Sequence, residues 1–382
     1  MLIGGARAAL FGQRWPKGYT NLGGRFLSGW AAKLAQVKAG TANASVICLG
    51  GSTMRGVGVG TGAAFDQGGD ELATPKLLAD VLVANGIPAI HNGVCGGSLG
   101  PTPGTDSRVT YGSANWGTIG NASLGSIGGV GNGCFSCQTA GDTTALGFAP
   151  VAAFDTISTR WLRNTSRDTF TIDVDGGAAL ASVPTAGTSS FQTTQVSCAL
   201  GTHTINIKRT DTTTGGIHIA VIETWNSAIK TVRVLNAGAS SATISNIATG
   251  NAAFGPMAAI TAMAPDLVIC AVGGNDCLNG TPEGSYKTDL QTVCTTVGAG
   301  KIILASHTPI DASGVGGEAA RQAYTKYTRD IAVANNAPFV DLTYLQGTYA
   351  ATQAAGLIAG GSGNHMNDYH SITNFLAEAV IV

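Results

Sequence analysis

Three short stretches of this chain set chemically able side chains beside glycine. The first is Val46-Ile47-Cys48-Leu49-Gly50-Gly51-Ser52, an apolar run that breaks into two glycines and a serine. A buried strand ending in a glycine turn lifts one hydroxyl into the open. That hydroxyl becomes a useful nucleophile once a base stands within hydrogen-bond reach. The second stretch is the apolar run 267–272 followed by Gly273-Gly274-Asn275-Asp276, where a carboxamide stands just past the glycines. The third is the polar stretch Asn364-His365-Met366-Asn367-Asp368-Tyr369-His370, which supplies imidazoles. A serine, a base and fixed N–H donors are what acyl transfer needs, because the tetrahedral oxyanion must be held by two or three preset hydrogen bonds. Each stretch also has a plainer reading. Ser52 can be a turn serine, Asn275 or Asp276 a helix cap, and His365 and His370 surface histidines.

Loops of this kind work together when they stand at the C-terminal ends of parallel strands. The chain supplies such strands. Residues 1–44 form a lead-in with a helix near 27–37, and 45–49 is the first strong strand. Residues 74–85 carry Leu77, Leu78, Val81 and Leu82 at helical spacing, and Gly86 ends the helix. A short strand at 87–91 runs into a glycine block. From 97 to 150 the sequence is rich in Gly, Ser, Thr and Asn without periodicity, and is expected to be a long loop. Alternation then takes over: Phe170, Ile172 and Val174 lead to a hairpin-type Asp175-Gly176, and Ile205 and Ile207 repeat the pattern. From Thr231 onward strands alternate with helices again. The expected fold is α/β, a three-layer parallel sheet over 45–150 and 226–382, interrupted by an all-β sandwich-like module at 151–225.

Composition narrows the function. Of 382 residues, 44% are hydrophobic and only 11% charged, which excludes a disordered chain. A net charge of −1 gives no footprint for nucleic acid or an anionic membrane surface. No apolar run has the eighteen or so residues of a membrane span, and the first residues read as a poor secretion signal. Localisation and oligomeric state are not legible. Of the eight cysteines only Cys134 and Cys137 are closely spaced, in Gly-Cys-Phe-Ser-Cys, and no second pair completes a metal site. A local disulfide or two free thiols is expected there, and no metal.

Gly50-Gly51-Ser52, then Val272-Gly273-Gly274-Asn275-Asp276 behind Pro265-Asp266-Leu267-Val268, then a late His365-Met366-Asn367-Asp368 resemble the SGNH (GDSL-type) hydrolase family. The resemblance covers about 200 residues: roughly 45–98, 231–310 and 335–382. It implies Ser52 as nucleophile, His365 as base, and an oxyanion hole built from Ser52, Asn275 and a glycine-block N–H. The usual Gly-Asp-Ser is here Gly50-Gly51-Ser52. The glycine block occurs twice, so that its donor is either Gly96 or, in the copy containing Gly238, Ser241. The family's acid three residues before the histidine is replaced by Ser362; Ser362 or Asp368 remains as orienter, and His370 is an alternative base. An α/β-hydrolase elbow is disfavoured, because Gly50-Gly51-Ser52-Thr53-Met54 lacks its second glycine. The resemblance implies a serine esterase without metal or organic cofactor, acting on short acyl, acetyl-type esters of a polysaccharide or on a small ester. A lipid esterase is disfavoured by the polar 97–150 stretch. The alternative is a catalytically weak or inactive glycan-binding or virion structural protein on the same fold. The low charge and abundant Gly, Ser, Thr and Asn also suit a phage tail or other virion-associated enzyme.

Overall fold

A computed structural model describes residues 19–20, 26–57, 72–96, 106–120, 129–131, 133–210, 215–249, 253–358, 365–366 and 369–381. The chain opens with β1 (Tyr19–Thr20), α1 (Ser28–Lys38), β2 (Ala44–Gly50), α2 (Ser52–Arg55) and α3 (Thr74–Ala84). After β3 (Ala89–Ile90) and β4 (Gly93–Cys95) come β5 (Val109–Tyr111), β6 (Trp116–Gly120), β7 (Gly133–Cys137) and β8 (Ala145–Phe148). The long strands β9 (Phe154–Arg163), β10 (Thr169–Val174), β11 (Ala181–Pro184), β12 (Ser190–Gly201), β13 (Ile205–Arg209) and β14 (Ile217–Trp225) follow. Then β15 (Val232–Gly238), α4 (Ile244–Ala248), α5 (Pro256–Met263), β16 (Leu267–Ala271), α6 (Gly274–Leu278) and α7 (Glu283–Val297) return to alternation. The chain closes with β17 (Ile302–Ala305), α8 (Gly317–Ala334), β18 (Phe339–Val340), α9 (Leu342–Gln346), α10 (Tyr349–Ala354) and α11 (His370–Val380).

Seven strands form one sheet in the order β1-β18-β17-β16-β2-β15-β3, parallel throughout except for β1 at the edge. β2 lies at its heart, with Gly50 opposite Gly238 of β15 on one side and Ala271 of β16 on the other. A strand covered on both faces has no polar side, which is why β2 and β16 read as unbroken apolar runs. Ile47 and Leu49 face a core shared with α4, α5, α7 and α8, whereas Val46 and Cys48 face one shared with α1, α3 and α11. Trp30 of α1 is buried in the second core and donates its indole N–H to the Val380 carbonyl at 2.7 Å. The residues expected as a lead-in therefore contribute an edge strand and a packed helix.

The remaining strands build two antiparallel sheets, β11-β10-β13-β8-β5 and β12-β9-β14-β7-β6, with β4 also pairing with β14. Phe148, Phe170 and Ile207 of one sheet and Phe135, Trp161 and Ile219 of the other share one apolar core, the arrangement of a sandwich. The long loop expected over 97–150 is corrected here: β5 to β8 occupy 109–148 and pair with β13 and β14. β7 is buried at all five positions, and a strand buried on both faces shows no alternation to read. By strand pairing, the β module gathers 93–95 and 109–148 as well as 154–225, so a boundary at 151 cuts through it. Cys134 and Cys137 stand in β7 on opposite faces, one in the α/β-side core and the other in the sandwich core. The two side chains face opposite ways and are not bonded to each other, so the expected local disulfide is not formed.

Candidate active site

Three adjacent strands, β15, β2 and β16, end in line, and the loops beyond them converge. β2 passes through Gly50 and Gly51 and starts α2 at Ser52. Both glycines are required by proximity. A Cβ on Gly50 would lie 2.5 Å from the Ala271 carbonyl oxygen, and one on Gly51 would lie 3.0 Å from the Asn275 side-chain nitrogen. As first residue of α2, Ser52 has a backbone N–H with no intrahelical acceptor. Beyond β16, Gly273 takes a left-handed φ of 105° and starts α6, which carries Asn275 and Asp276. Beyond β15, the chain turns through Ser241, itself left-handed at φ 59°.

Ser52, Ser241, Asn275 and His365 line one cavity of about 440 Å³. Its wall also includes Thr53, Ser240, Ser306, His307 and Thr308, with Met54, Ile310, Leu342 and Ile372 as apolar lining. His365 Nε2 lies 2.7 Å from Ser52 Oγ. Burial pushes the His365 pKa below its ordinary value, so the ring is neutral at pH 7 and Nε2 can accept the serine proton. When the serine hydroxyl donates in that contact, the ring hydrogen sits on Nδ1, which is buried and has no partner among the described residues. Asn275 donates one amide hydrogen to the Ala242 carbonyl at 2.9 Å. Its carboxamide has a second hydrogen to offer.

Supporting residues hold these loops. Asp276 is fully buried and accepts the Ile244 N–H at 3.2 and 3.1 Å, tying α6 to the start of α4 and so to the turn containing Ser241. Desolvation raises its pKa to about 6. Tyr369 is buried and donates its hydroxyl to the Val57 carbonyl at 2.6 Å, joining the histidine stretch to the end of α2. The Thr53 and Thr308 hydroxyls meet at 3.3 Å across the cavity wall. His307 also lines the cavity. Its Nδ1 lies 2.7 Å from the Thr308 carbonyl and Nε2 3.3 Å from that of Arg321, and burial lowers its pKa to about 4. With both nitrogens facing carbonyls, it positions the β17 loop.

The two glycine blocks go to different places. Gly96 is not among the described cavity-lining residues, and its N–H donates to the Ala220 carbonyl in β14 at 3.0 Å. The chain leaves the seven-stranded sheet after β3 and pairs β4 with β14, which carries the first block into the β module. The Gly238 N–H goes to the Asn236 side chain at 3.1 Å, and a Cβ there would lie 2.3 Å from the Arg55 nitrogen, so Gly238 serves packing. His370 begins α11, is exposed and is not among the described cavity-lining residues. Ser362 and Asp368 lie outside the described residues. Thr53, Ser240, Asp276 and Tyr369 had no sequence signal as site residues beyond their closeness to the three stretches. Among the described residues no group of three or more His, Cys, Asp or Glu is placed to hold a metal ion.

Comparison with known proteins adds family and fold. Residues 220–369 match the model of the GDSL-like lipase/acylhydrolase family, a span that holds Asn275 and His365 while Ser52 lies upstream of it. No curated protein matches the sequence. The chain is similar to a solved structure described as "Peptidoglycan O-acetylesterase in action, 5 min", with a TM-score of 0.71 at 16% identity over 95% of this chain and 97% of that one. At this identity the likeness shows the fold, and it extends through the β module. Weaker likenesses, which bear no argument, include the lipase/acylhydrolase from Enterococcus faecalis and a family two carbohydrate esterase from Cellvibrio japonicus. The first has a TM-score of 0.33 at 17% identity, covering 40% of this chain and 77% of that one. The second has 0.24 at 12% identity, covering 64% and 87%. The chain is thus similar to the GDSL-like lipase/acylhydrolase family over residues 220–369, and its fold is a mixed α/β one with added sheets.

Proposed function

We propose that the protein is a serine esterase that removes short acyl groups, acetyl above all, from a carbohydrate. The single observation that carries this reading is the 2.7 Å contact between Ser52 Oγ and His365 Nε2 in a cavity shared with Asn275 and Ser241. In this reading Ser52 Oγ attacks the ester carbonyl while its proton passes to Nε2. The oxyanion is held by the Ser52 and Ser241 N–H groups and the Asn275 carboxamide. The intermediate collapses, the imidazolium protonates the departing alcohol, and a water activated by His365 then frees the acyl group. Ser241 lies in the turn between β15 and α4, before the helix begins, and lines the cavity, which supports its share in the hole. The sheet and its two helix-covered faces are read as the three-layer core of this family, with the β sandwich inserted. The acetylated-glycan substrate is supported by the peptidoglycan O-acetylesterase that shares the fold across both parts.

The test is hydrolysis of p-nitrophenyl acetate, butyrate and octanoate by wild type, Ser52→Ala and His365→Ala. Acetate-selective turnover that falls by about 10³ or more in each variant is the expected outcome for a nucleophile and its base. Turnover that survives Ser52→Ala, or a folded wild type inert toward these esters and toward acetylated xylan and peptidoglycan, would sink the reading.

A further inference from the structure

Behind the β17 loop, at the same edge of the sheet as the cavity, a second groove of about 570 Å³ runs between α8 and α9. The two share a wall. Ser306 and His307 line the first cavity, the Ser306 hydroxyl reaches Asp341 Oδ1 at 3.4 Å, and the Thr343 hydroxyl donates to the His307 carbonyl at 3.2 Å. Asp341 and Thr343 line the second groove. In a chain with only 11% charged residues, this groove gathers Arg321, Lys326 and Arg329 with Glu318 and Asp341. The carboxylates are engaged: Glu318 holds Arg321, and Asp341 accepts the Tyr344 N–H at 2.9 Å. Lys326 pairs with Asp330 at 2.7 Å. Arg329 is exposed and makes no ion pair among the described residues, although its charge is felt by Asp341. Arg321 is buried in the groove floor, and its Nη1 has no partner among the described residues. Tyr344 stands beside them 54% exposed, an aromatic face open to solvent.

An exposed tyrosine ring offers a sugar a flat apolar surface with a polar tip, and an unpaired guanidinium offers a carboxylate a two-pronged donor. We propose that this groove is a distal subsite for an acidic sugar unit, one carrying a carboxylate, of the polymer whose ester is presented to Ser52. The ring stacks on Tyr344 and the carboxylate meets Arg329, while the acyl group enters the neighbouring cavity. The inference rests on the carbohydrate-ester reading of that cavity and adds the charge of the polymer to it.

The experiment uses the full-length Ser52→Ala protein, so that binding is read without turnover. Calorimetry with hexagalacturonate and with neutral xylohexaose compares an acidic and a neutral chain of equal length. The expected result is measurable binding of the acidic chain, weakened about tenfold by Arg329→Ala and by Tyr344→Ala, only partly restored in Arg329→Lys, and weakened by added salt. Equal affinity for both chains, an affinity indifferent to Arg329→Ala, or no binding of the acidic chain would overturn the subsite. These outcomes are separate from failure of the esterase reading, which is decided by wild-type turnover of p-nitrophenyl acetate.

Discussion

Asp276 offers a test of how the site is held together. Its carboxylate is fully buried, and its bonds to the Ile244 N–H link the helix carrying Asn275 to the turn carrying Ser241. Burial raises its pKa from 3.8 to about 6. Between those values the folded protein holds a proton that the unfolded chain has released, so stability falls as pH rises through the window. The full difference is worth about 3 kcal/mol, and somewhat over 2 kcal/mol of it falls between pH 4 and pH 7. With an unfolding entropy of about 2.1 cal/mol/K per residue, this amounts to roughly 3 °C in Tm for a chain of this length. Asp276→Asn keeps an oxygen for the Ile244 N–H and removes the ionisation. The assay is thermal unfolding followed by circular dichroism at half-unit steps from pH 4 to pH 7. The wild-type Tm minus the variant Tm should decline by about 3 °C with rising pH. Two curves that run parallel within a degree would show that the carboxylate is not desolvated in the folded protein.

Two further outcomes follow from the same site. Because burial lowers the His365 pKa, kcat/KM for p-nitrophenyl acetate should rise with pH along a limb centred below 6.5, the ordinary histidine value; a limb centred above 6.5 would mean that a carboxylate stabilises the imidazolium. Asn275→Ala removes an oxyanion donor and should lower kcat by about 10²–10³ with KM little changed, read in steady-state kinetics beside the wild type.

Ser52 and Asn275 were legible because of where their strands lie. β2 and β16 are interior parallel strands, and their unbroken apolar runs mark the places where the chain leaves the sheet into chemistry. His365 follows no such strand and was legible only through its order in the chain. The choice between Gly96 and Ser241 was not open to sequence reading, since both blocks follow apolar runs. Register supports the proposed Ser241: β15 pairs with β2 so that Gly238 stands opposite Gly50, whereas β4 leaves for β14. The strands β5 to β8 were missed for a different reason. They are short, glycine-rich and in part buried on both faces, so they show neither alternation nor length. Asp276 looked like a cap, and only its burial against Ile244 shows that it joins two loops of the site.

The histidine carries a consequence for rate. In the proposed mechanism Nε2 accepts from Ser52, so the neutral ring keeps its hydrogen on Nδ1. No described residue accepts that N–H, so nothing among them favours the imidazolium that forms as Ser52 attacks. In serine triads the orienting carboxylate both fixes the ring and stabilises that cation, and its replacement by an amide lowers kcat by about 10⁴. Here Tyr369 fastens the histidine stretch to the end of the helix that Ser52 begins, and the His365 ring is partly buried. Among the described residues, such a base would have its geometry set without help with charge. If no residue outside the described ones accepts that N–H, the proposed oxyanion donors would carry a larger share of transition-state stabilisation than in an enzyme with a complete triad.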